Sequence, residues 1–337
     1  IDNFFISPGN PNDASVASLL AGTAPRNGSG VISVLGQVNA IDGIALSAGA
    51  INVGGALYAG ARFIGAAPNF TDVVNANGLA SATNVVVKEG RIEIVADADV
   101  TVSGTIATPG GSGVRGGDIA IRAGGNIDLQ SGAVIAARGN GGNSAGGTVS
   151  ILADNYAVSR KGALVDASAG ASGDGGAVEF SAKNTVELAG GAFRADGTGG
   201  GKAGSVLIDP ADIIVSADIL RSAGGYAPLP DGASASGANL TLLADNGITV
   251  NENITISTRS VAGATAADHA TGASTGNSGN LTLEAATISL KSGSKLLAGT
   301  ETGSSYSGGD VKLKATKATQ ALPAEAKVSV DNATVTG

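Results

Sequence analysis

The sequence predicts an all-β fold, a parallel β-helix (β-solenoid) in which each coil of about 29–30 residues contributes three short strands. The first observation behind this prediction is a repeat. Four similar phrases begin at Gly117, Gly147, Gly176 and Gly204, so their spacings are 30, 29 and 28 residues. A fixed period of this size is typical of proteins that stack one structural unit on the next.

The second observation is that each phrase contains three short runs in which apolar and polar residues alternate. In the first copy these runs contain Ile119 and Ile121, then Ile127 and Leu129, then Val134. Alternation over four or five residues is the period of a strand with one buried face, not of a helix. Gly, Asn and Asp between the runs favour turns. Each copy is therefore predicted to hold three strands.

Equivalent strands of successive copies are expected to pair in parallel at the usual sheet spacing of about 4.8 Å. Their inward residues would then form ladders that run along the stack. One predicted ladder contains Ile119, Val149, Val178 and Val206, and a second contains Val134, Leu164 and Phe193.

The third observation is a composition that suits a narrow apolar column better than a bulky globular core. Glycine accounts for 54 of 337 residues, aromatic residues for 3% and hydrophobic residues for 43%. The glycines follow no Gly-X-Y period, which excludes collagen. The short alternating apolar runs argue against a disordered chain.

Charge and cysteine content exclude several kinds of partner and site. The formal net charge of −8 disfavours nucleic acid and anionic lipid as partners, because both attract basic proteins. The chain has no cysteine, so it has neither disulfides nor thiolate metal sites. No run approaches the roughly 18 apolar residues of a transmembrane helix, so no membrane span is expected.

The chain divides into a short first segment and a long repetitive part. We interpret residues 1–30 as a segment that leads into the first coil and caps it. Residues 31–337 are assigned to the parallel β-helix, with protruding loops near 66–84, 221–238 and 258–279 where the strand pattern is interrupted. The pattern continues to the last residues, which favours a longer solenoid or an end covered by another molecule.

The most specific phrase lies at the fourth repeat. The run GSVLIDPADIIVSADIL at 204–220, followed by NLTLLADNGITVNENITI at 239–256, resembles filamentous-haemagglutinin-like large exoproteins, the secreted partners of bacterial two-partner secretion systems. The residues that carry this resemblance most specifically, and that we take as a fold-defining motif, are Leu207, Ile208, Asp209, Pro210, Asp212 and Ile213.

The resemblance implies a single-stranded, right-handed parallel β-helix that is exported through an outer-membrane secretion partner. It implies a location outside the cell, or on the outer surface, of a Gram-negative bacterium. A role in adhesion would require binding to a receptor or glycan on a host or neighbouring cell.

The two longer interruptions are the expected contact sites, because loops carry recognition while coils carry stability. The candidate contact residues are Tyr226, Pro228 and Asp231 in the loop 221–238, and Arg259, Asp268 and His269 in the loop 258–279.

Several asparagines stand in Asn-X-Ser/Thr sequons and are candidate glycosylation sites. These residues are Asn27, Asn69, Asn239, Asn253, Asn280 and Asn332. Asn239 and Asn280 open equivalent NLT strands, and their alternative role is to stack in an internal ladder.

We predict no catalytic, cofactor-binding or metal-binding residues, and therefore a non-catalytic protein. His269 is the only histidine; beside Asp268 in a polar loop, it is expected to be solvated. Without a nucleophile motif, neither a catalytic triad nor a zinc site is indicated. Asp209, Asp212 and Asp218 are the densest acids, and their expected role is turn formation, with catalysis or calcium binding as the minor alternative.

Three functions remain open from the sequence. The first is an adhesin or structural exoprotein that forms a stiff rod. The second is a self-assembling extracellular filament or sheath subunit, for which glycine-rich corners would offer a flat packing face as well as tight turns. The third is a carbohydrate-active β-helix enzyme, which would need several acids on one outer sheet. The strand positions offer mostly Ser, Thr, Ala and single charges.

Overall fold

The computed structural model describes residues 3–6, 30–40, 43–60, 90–221, 235–261, 265–316, 327–330 and 334–336. Within these residues the secondary structure is almost entirely β-strand, with one short α-helix. That helix is too short to cross a membrane, and the described residues contain no helix that could do so. The predicted loop near 66–84 and most of the segment 1–30 lie outside the described residues.

The elements are numbered in chain order. Residues 3–60 contain β1 (Asn3–Ile6), β2 (Val31–Val34), β3 (Gln37–Ala40), β4 (Gly43–Ala48), β5 (Ala50–Val53) and β6 (Ala56–Ala59). Residues 91–194 contain β7 (Arg91–Ala96), β8 (Val100–Val102), β9 (Thr105–Ala107), β10 (Asp118–Ala123), β11 (Ile127–Leu129), β12 (Val134–Ala136), β13 (Thr148–Ala153), β14 (Tyr156–Arg160), β15 (Leu164–Asp166), β16 (Ala177–Ala182), β17 (Thr185–Ala189) and β18 (Ala192–Arg194).

The remaining elements follow the fourth repeat. Residues 205–257 contain β19 (Ser205–Ile208), β20 (Asp212–Val215), β21 (Ile219–Leu220), β22 (Ala235–Ser236), β23 (Asn239–Leu243), β24 (Gly247–Val250) and β25 (Thr255–Ser257). Residues 266–336 contain α1 (Ala266–Thr271), β26 (Gly276–Asn277), β27 (Leu281–Ala285), β28 (Thr287–Leu290), β29 (Lys295–Leu297), β30 (Val311–Ala315), β31 (Lys327–Val330) and β32 (Thr334–Thr336).

Successive strands of a repeat lie in different sheets, and each pairs in parallel with its counterparts in the neighbouring repeats. Sheet 1 has ten strands in the order β1-β4-β7-β10-β13-β16-β19-β23-β27-β30. Sheet 2 has ten in the order β2-β5-β8-β11-β14-β17-β20-β24-β28-β31. The third face is divided into a six-stranded sheet, β3-β6-β9-β12-β15-β18, and a four-stranded sheet, β21-β25-β29-β32. The prediction of an all-β fold is therefore confirmed, and its sheets are long and parallel.

The first predicted ladder is present in the structure. Ile119 pairs with Val149, Val149 with Val178, and Val178 with Val206. All four side chains are buried, because alternate residues of each strand in sheet 1 point into the stack. The inward residues of the repeats join into one continuous apolar core.

The second predicted ladder is wrong at its last member. Val134 pairs with Leu164, but Leu164 then pairs with Ala192, while Phe193 pairs with Val165. Val165 and Phe193 are buried. The alternation was therefore assigned one residue out of phase in this part of the repeat.

A turn of different length causes this change of phase. Ser159 pairs with Leu188, and Leu164 pairs with Ala192, so the turn of the later repeat is one residue shorter. Its two glycines, Gly190 and Gly191, have φ of 114° and 92°, values that glycine adopts without steric penalty.

A row of glycines lies where sheet 1 begins in each repeat. A Cβ atom on Gly147 would lie 2.0 Å from the carbonyl oxygen of Gly117 in the preceding repeat. The same contact recurs at 1.9–2.1 Å for Gly117, Gly176 and Gly204. Successive repeats can therefore approach this closely only where no side chain is present, which favours close backbone stacking as the reason for these glycines.

Candidate functional site at the two insertions

The order of the repeats is interrupted at two neighbouring places on the third face. The first interruption follows β21 and ends at β22; the second follows β25 and contains α1. β21 pairs with β25, and β22 pairs with β26. The backbone N–H of Gly237 also donates to the carbonyl oxygen of Asn277 at 2.9 Å. The stems of the loops 221–238 and 258–279, which we call the insertion pair, therefore lie side by side.

The helix α1 begins at a capping box. The Oγ1 atom of Thr265 accepts a hydrogen bond from the backbone N–H of Asp268 at 3.2 Å. The Oδ2 atom of Asp268 in turn accepts from the backbone N–H of Thr265 at 2.9 Å. These two bonds satisfy backbone donors that the first turn of a helix leaves free. Asp268, a predicted contact residue, therefore has a structural role in starting the helix.

His269 is fully buried, so the expectation that it is solvated is wrong. Its Nδ1 atom lies 2.8 Å from the hydroxyl oxygen of Ser257 in β25. Burial lowers the pKa of His269 from 6.5 to about 4, and the nearby guanidinium groups of Arg221 and Arg259 lower it further. The imidazole is therefore neutral at pH 7 and fixes α1 against the third face.

Arg259 is also buried, although it was predicted as a contact residue. Its guanidinium group donates to the carbonyl oxygens of His269 and Ala270, and to that of Gly272 at 3.1 Å. These carbonyls lie at the carboxyl end of α1, where the helix has no backbone donors of its own. Arg259 therefore closes the helix from inside and does not face a partner.

The carboxylate of Glu301 connects the second insertion to the following repeat. It accepts from the backbone N–H of Ser274 at 2.9 Å and from the Ser274 hydroxyl group, and it lies 3.5 Å from Nη2 of Arg259. The hydrogen bonds from Ser274 lower the pKa of Glu301 to about 2.

The first insertion is attached to the preceding repeat by a buried ion pair. The Nε atom of Arg221 donates to Oδ1 of Asp196 at 2.8 Å, and the same oxygen accepts from the backbone N–H of Ala238 at 2.9 Å. The Nε atom of Arg194 donates to the carbonyl oxygen of Arg221 at 2.8 Å. Residues on both sides of the first insertion are therefore bound to one buried carboxylate.

Several predicted site residues lie outside the described part of the chain. These are the contact residues Tyr226, Pro228 and Asp231 and the sequon residues Asn27, Asn69 and Asn332.

The described sequon residues are on the surface or partly exposed. Oδ1 of Asn239 accepts from the backbone N–H of Asn280 at 2.9 Å, and Oδ1 of Asn280 accepts from that of Asp310 at 2.9 Å. Asn239 and Asn280 thus stack in a hydrogen-bonded ladder, as the alternative interpretation holds. Asn253 is exposed and has φ of 58°.

The acids of the fold-defining motif do not converge. Asp212 accepts from Nδ2 of Asn246 at 3.1 Å, and Asp218 accepts from the backbone N–H of Thr255 at 2.7 Å. Partial burial and the nearby Asp245 raise the pKa of Asp209. Among the described residues, no group of three or more acids and histidines has the geometry of a metal site.

The apolar members of that motif take the two environments of a strand. Ile208 and Ile213 are buried and point into the stack, while Leu207 points outward and is half-buried. Pro210 is buried at the turn between β19 and β20.

The sequence analysis missed a polar cluster on the outer face of sheet 2. Arg160 donates from Nε and Nη2 to the two carboxylate oxygens of Asp128 at 2.8 and 3.0 Å. Glu187 accepts from the hydroxyl groups of Tyr156 and, at 2.7 Å, Ser216. The pairing Asp128↔Val158↔Glu187 brings the two acids onto one face two strands apart. The signal was their equal phase in alternate repeats.

The hydrogen bonds in this cluster decide its chemistry. Those donated by Tyr156 and Ser216 lower the pKa of Glu187. Burial and the bond to Glu187 raise the pKa of Tyr156. Glu187 is therefore ionised at neutral pH and poorly suited to act as a general acid.

Comparison with known proteins adds no relative to this description. No family model, no curated protein and no solved structure matches the chain. The class of protein has to be inferred from the repeated three-sheet fold and from the insertion pair.

Proposed function

We propose that this chain is a single-stranded, right-handed parallel β-helix and acts as a stiff, non-catalytic rod. In this proposal it belongs to a secreted bacterial adhesin or structural exoprotein, and the insertion pair is its recognition surface. The single observation that supports the proposal best is that ten strands of sheet 1 stack without interruption while two neighbouring insertions are fixed by buried ion pairs.

The rod follows from the parallel register. Ten strands at one sheet spacing each extend over about 45–50 Å. Every repeat binds its neighbours through backbone hydrogen bonds and through the apolar core, so bending would break contacts along a whole face. A stack of this kind has a mechanical role, and specificity has to come from what protrudes.

The recognition surface follows from how the second insertion is built. Arg259 and His269 hold α1 from inside, and this leaves Thr265, Thr271 and Thr275 exposed on its outer side. A surface held rigid before binding loses little conformational entropy when a partner docks. The resemblance of LIDPADI at 207–213 to filamentous-haemagglutinin-like exoproteins suggests a cell-surface receptor or glycan as that partner, and export through an outer-membrane secretion partner to the outer surface of a Gram-negative bacterium.

The test measures binding of the labelled protein to an array of cell-surface glycans and to cultured host cells. Thr271→Arg and Thr275→Arg place bulky charges on the exposed side of the insertion pair and should reduce binding at least tenfold. Lys183→Glu, an exposed change at the corner between sheets 1 and 2, should leave binding unchanged. Equal binding by all three variants would refute the insertion pair as the recognition surface.

Self-assembly into a filament or sheath is the second candidate. Within the described residues, β30 and β31 pair with a neighbouring strand on one side only. An edge strand of this kind offers backbone groups to another chain. Electron microscopy of the native protein distinguishes the candidates: continuous fibres with a repeat of one chain favour assembly, and separate thin rods favour the adhesin.

A carbohydrate-active enzyme is the candidate with least support. The sheet 2 cluster supplies two carboxylates, but Asp128 is held by Arg160 and Glu187 by two hydroxyl donors. A glycosidase needs one carboxylic acid that keeps its proton until it reaches the leaving group. The lowered pKa of Glu187 supports the non-catalytic proposal.

A further inference from the structure

A small cavity lies where the two sheets of the third face meet. Its volume is about 20 Å³, enough for one species of the size of a water molecule. Arg221, Ser257 and Thr258 form its polar wall, and its apolar wall includes Phe193 and Leu220.

The guanidinium group of Arg221 has a donor that is left over at this cavity. Its side chain is 8% exposed, and its Nε atom is used by Asp196. Its Nη2 atom, however, has no hydrogen-bond partner in the described part of the chain. A buried, charged N–H group without an acceptor is strongly unfavourable, so an acceptor is expected in the space beside it.

The other polar groups of the wall already have partners. The hydroxyl of Thr258 donates to the carbonyl oxygen of Gly279 at 2.6 Å, and the hydroxyl of Ser257 is engaged with His269. None of the residues that line the cavity is an acid. The missing acceptor is therefore not supplied by the described wall of the cavity.

The charges around the cavity favour an anion over a water molecule. The buried charged groups of the third face near this junction are Arg194, Arg221, Arg259, Asp166 and Asp196. Three positive and two negative groups leave an excess of one positive charge. The half-exposed Arg138 and Glu301 carry opposite charges and cancel.

Two titrating groups respond to this surplus. Burial lowers the pKa of Arg194, with Arg221 contributing in the same direction. Arg221 and Arg259 also contribute to the lowered pKa of His269. Both effects are those of a positive electrostatic potential that the surrounding carboxylates do not fully compensate.

We propose that the cavity binds one chloride ion, held by Nη2 of Arg221, and that this ion neutralises the buried charge at the junction. Because Arg221 also binds Asp196, the ion would stabilise the stem of the first insertion. A monovalent, monoatomic anion matches both the size of the space and the excess of one charge.

Diffraction from crystals of the native protein grown in sodium bromide tests the proposal directly. Bromide is expected to replace chloride and give an anomalous peak within hydrogen-bond distance of Nη2 of Arg221. Electron density without anomalous signal would identify a water molecule and overturn the proposal, as would an empty cavity.

Thermal unfolding in chloride and in gluconate at equal ionic strength provides the second test. The Tm should rise by about 2 °C for each tenfold increase in chloride above the dissociation constant, and gluconate should have no such effect. Arg221→Gln should abolish the chloride response. Arg160→Gln removes an exposed guanidinium from the sheet 2 cluster and should retain the response in full.

Asp196→Asn supplies a change of opposite sign that a purely structural role would not produce. The amide oxygen can still accept from Arg221, but the buried excess grows from one positive charge to two. The chloride concentration at half response should therefore fall at least tenfold. An unchanged or higher concentration would overturn the proposal even if Arg221→Gln failed to fold.

Discussion

The repeats in residues 90–204 and those in residues 205–316 share one order of strands but are joined on the third face in different ways. In the first part, β9, β12, β15 and β18 form one hydrogen-bonded sheet over a buried apolar ladder. In the second part, β21, β25 and β29 belong to a separate sheet. Between β18 and β21 the connection includes the side chain of Arg194, which reaches the carbonyl oxygen of Arg221.

This difference explains where the insertions are. A backbone ladder demands strands of matching length and direction, so an added segment at its end would disturb each neighbour. Long side chains such as Arg194, Arg221 and Arg259 can bridge gaps of different size. Charged contacts therefore replace the ladder on the one face where the chain departs from the repeat and returns to it.

The largest expected effect is on the regular part of the stack. Phe180 is fully buried, and its ring centroid lies 5.5 Å from that of Phe193. Phe180→Ala should lower the free energy of unfolding by about 4 kcal/mol, because it removes buried apolar area and leaves a cavity. Urea unfolding followed by circular dichroism measures this. Ser150→Ala, on a half-exposed outward position, should change it by less than about 0.5 kcal/mol.

The next effect should be confined to the insertion pair. Arg259→Met leaves the carbonyls of α1 and the carboxylate of Glu301 without their cation, at a cost of about 3–4 kcal/mol. Amide hydrogen exchange should show lost protection in α1 and at Ser274, with β10, β13 and β16 unchanged. Lys183→Met, an exposed cation elsewhere, is the matched control. Uniform loss along the whole chain would mean that the two regions are not separable.

A pH effect should distinguish the insertion pair from the regular repeats. The folded pKa of His269 is about 4 and its ordinary value 6.5, so the unfolded chain binds this proton more readily. The stabilisation is therefore fully present above pH 6.5 and is lost as the pH falls towards 4, by up to about 3 kcal/mol. Since His269 is the only histidine, His269→Gln should flatten the dependence of hydrogen exchange in α1 across this window. A slope that persists would refute a buried neutral imidazole.

The smallest of these effects tests the glycine row. Gly147→Ala would place a methyl group 2.0 Å from a backbone carbonyl and should cost about 2 kcal/mol through forced separation of two repeats. Gly142 lies in the preceding loop with no atom within 4 Å of the added methyl, so Gly142→Ala should be nearly neutral. A comparison of their Tm values is sufficient, and equal values would exclude close stacking as the reason for the glycine.

The parts of the fold that the sequence predicts are those in which a residue reports its own environment. Ile119 and Val149 alternate with polar residues because each strand of sheet 1 has one inward face, so period and register are both local signals. The phase failed at Phe193, because apolar residues occupy adjacent positions in β12 and β15 and either can be taken as inward. Only the shorter turn at Gly190 and Gly191 decides between them.

The candidate site could not be predicted in the same way. His269 and Arg259 stand among Ala, Thr and Gly, a composition typical of an exposed loop. Their burial depends on contacts with Ser257 and Arg221 and on the fold of α1, which no local period encodes. The Asp128 and Glu187 pair was missed because its members are 59 positions apart and meet only when the repeats are stacked.

The row of glycines also bears on how a repetitive chain finds one alignment. Pairing shifted by a single residue would turn the inward side chains of sheet 1 towards solvent. A shift that brought Thr148 to the position of Gly147 would also force a Cβ against the carbonyl of Gly117. Misaligned docking is thus penalised at the same corner of each repeat, whichever repeat forms first. The smallest residue in the chain acts as its alignment mark.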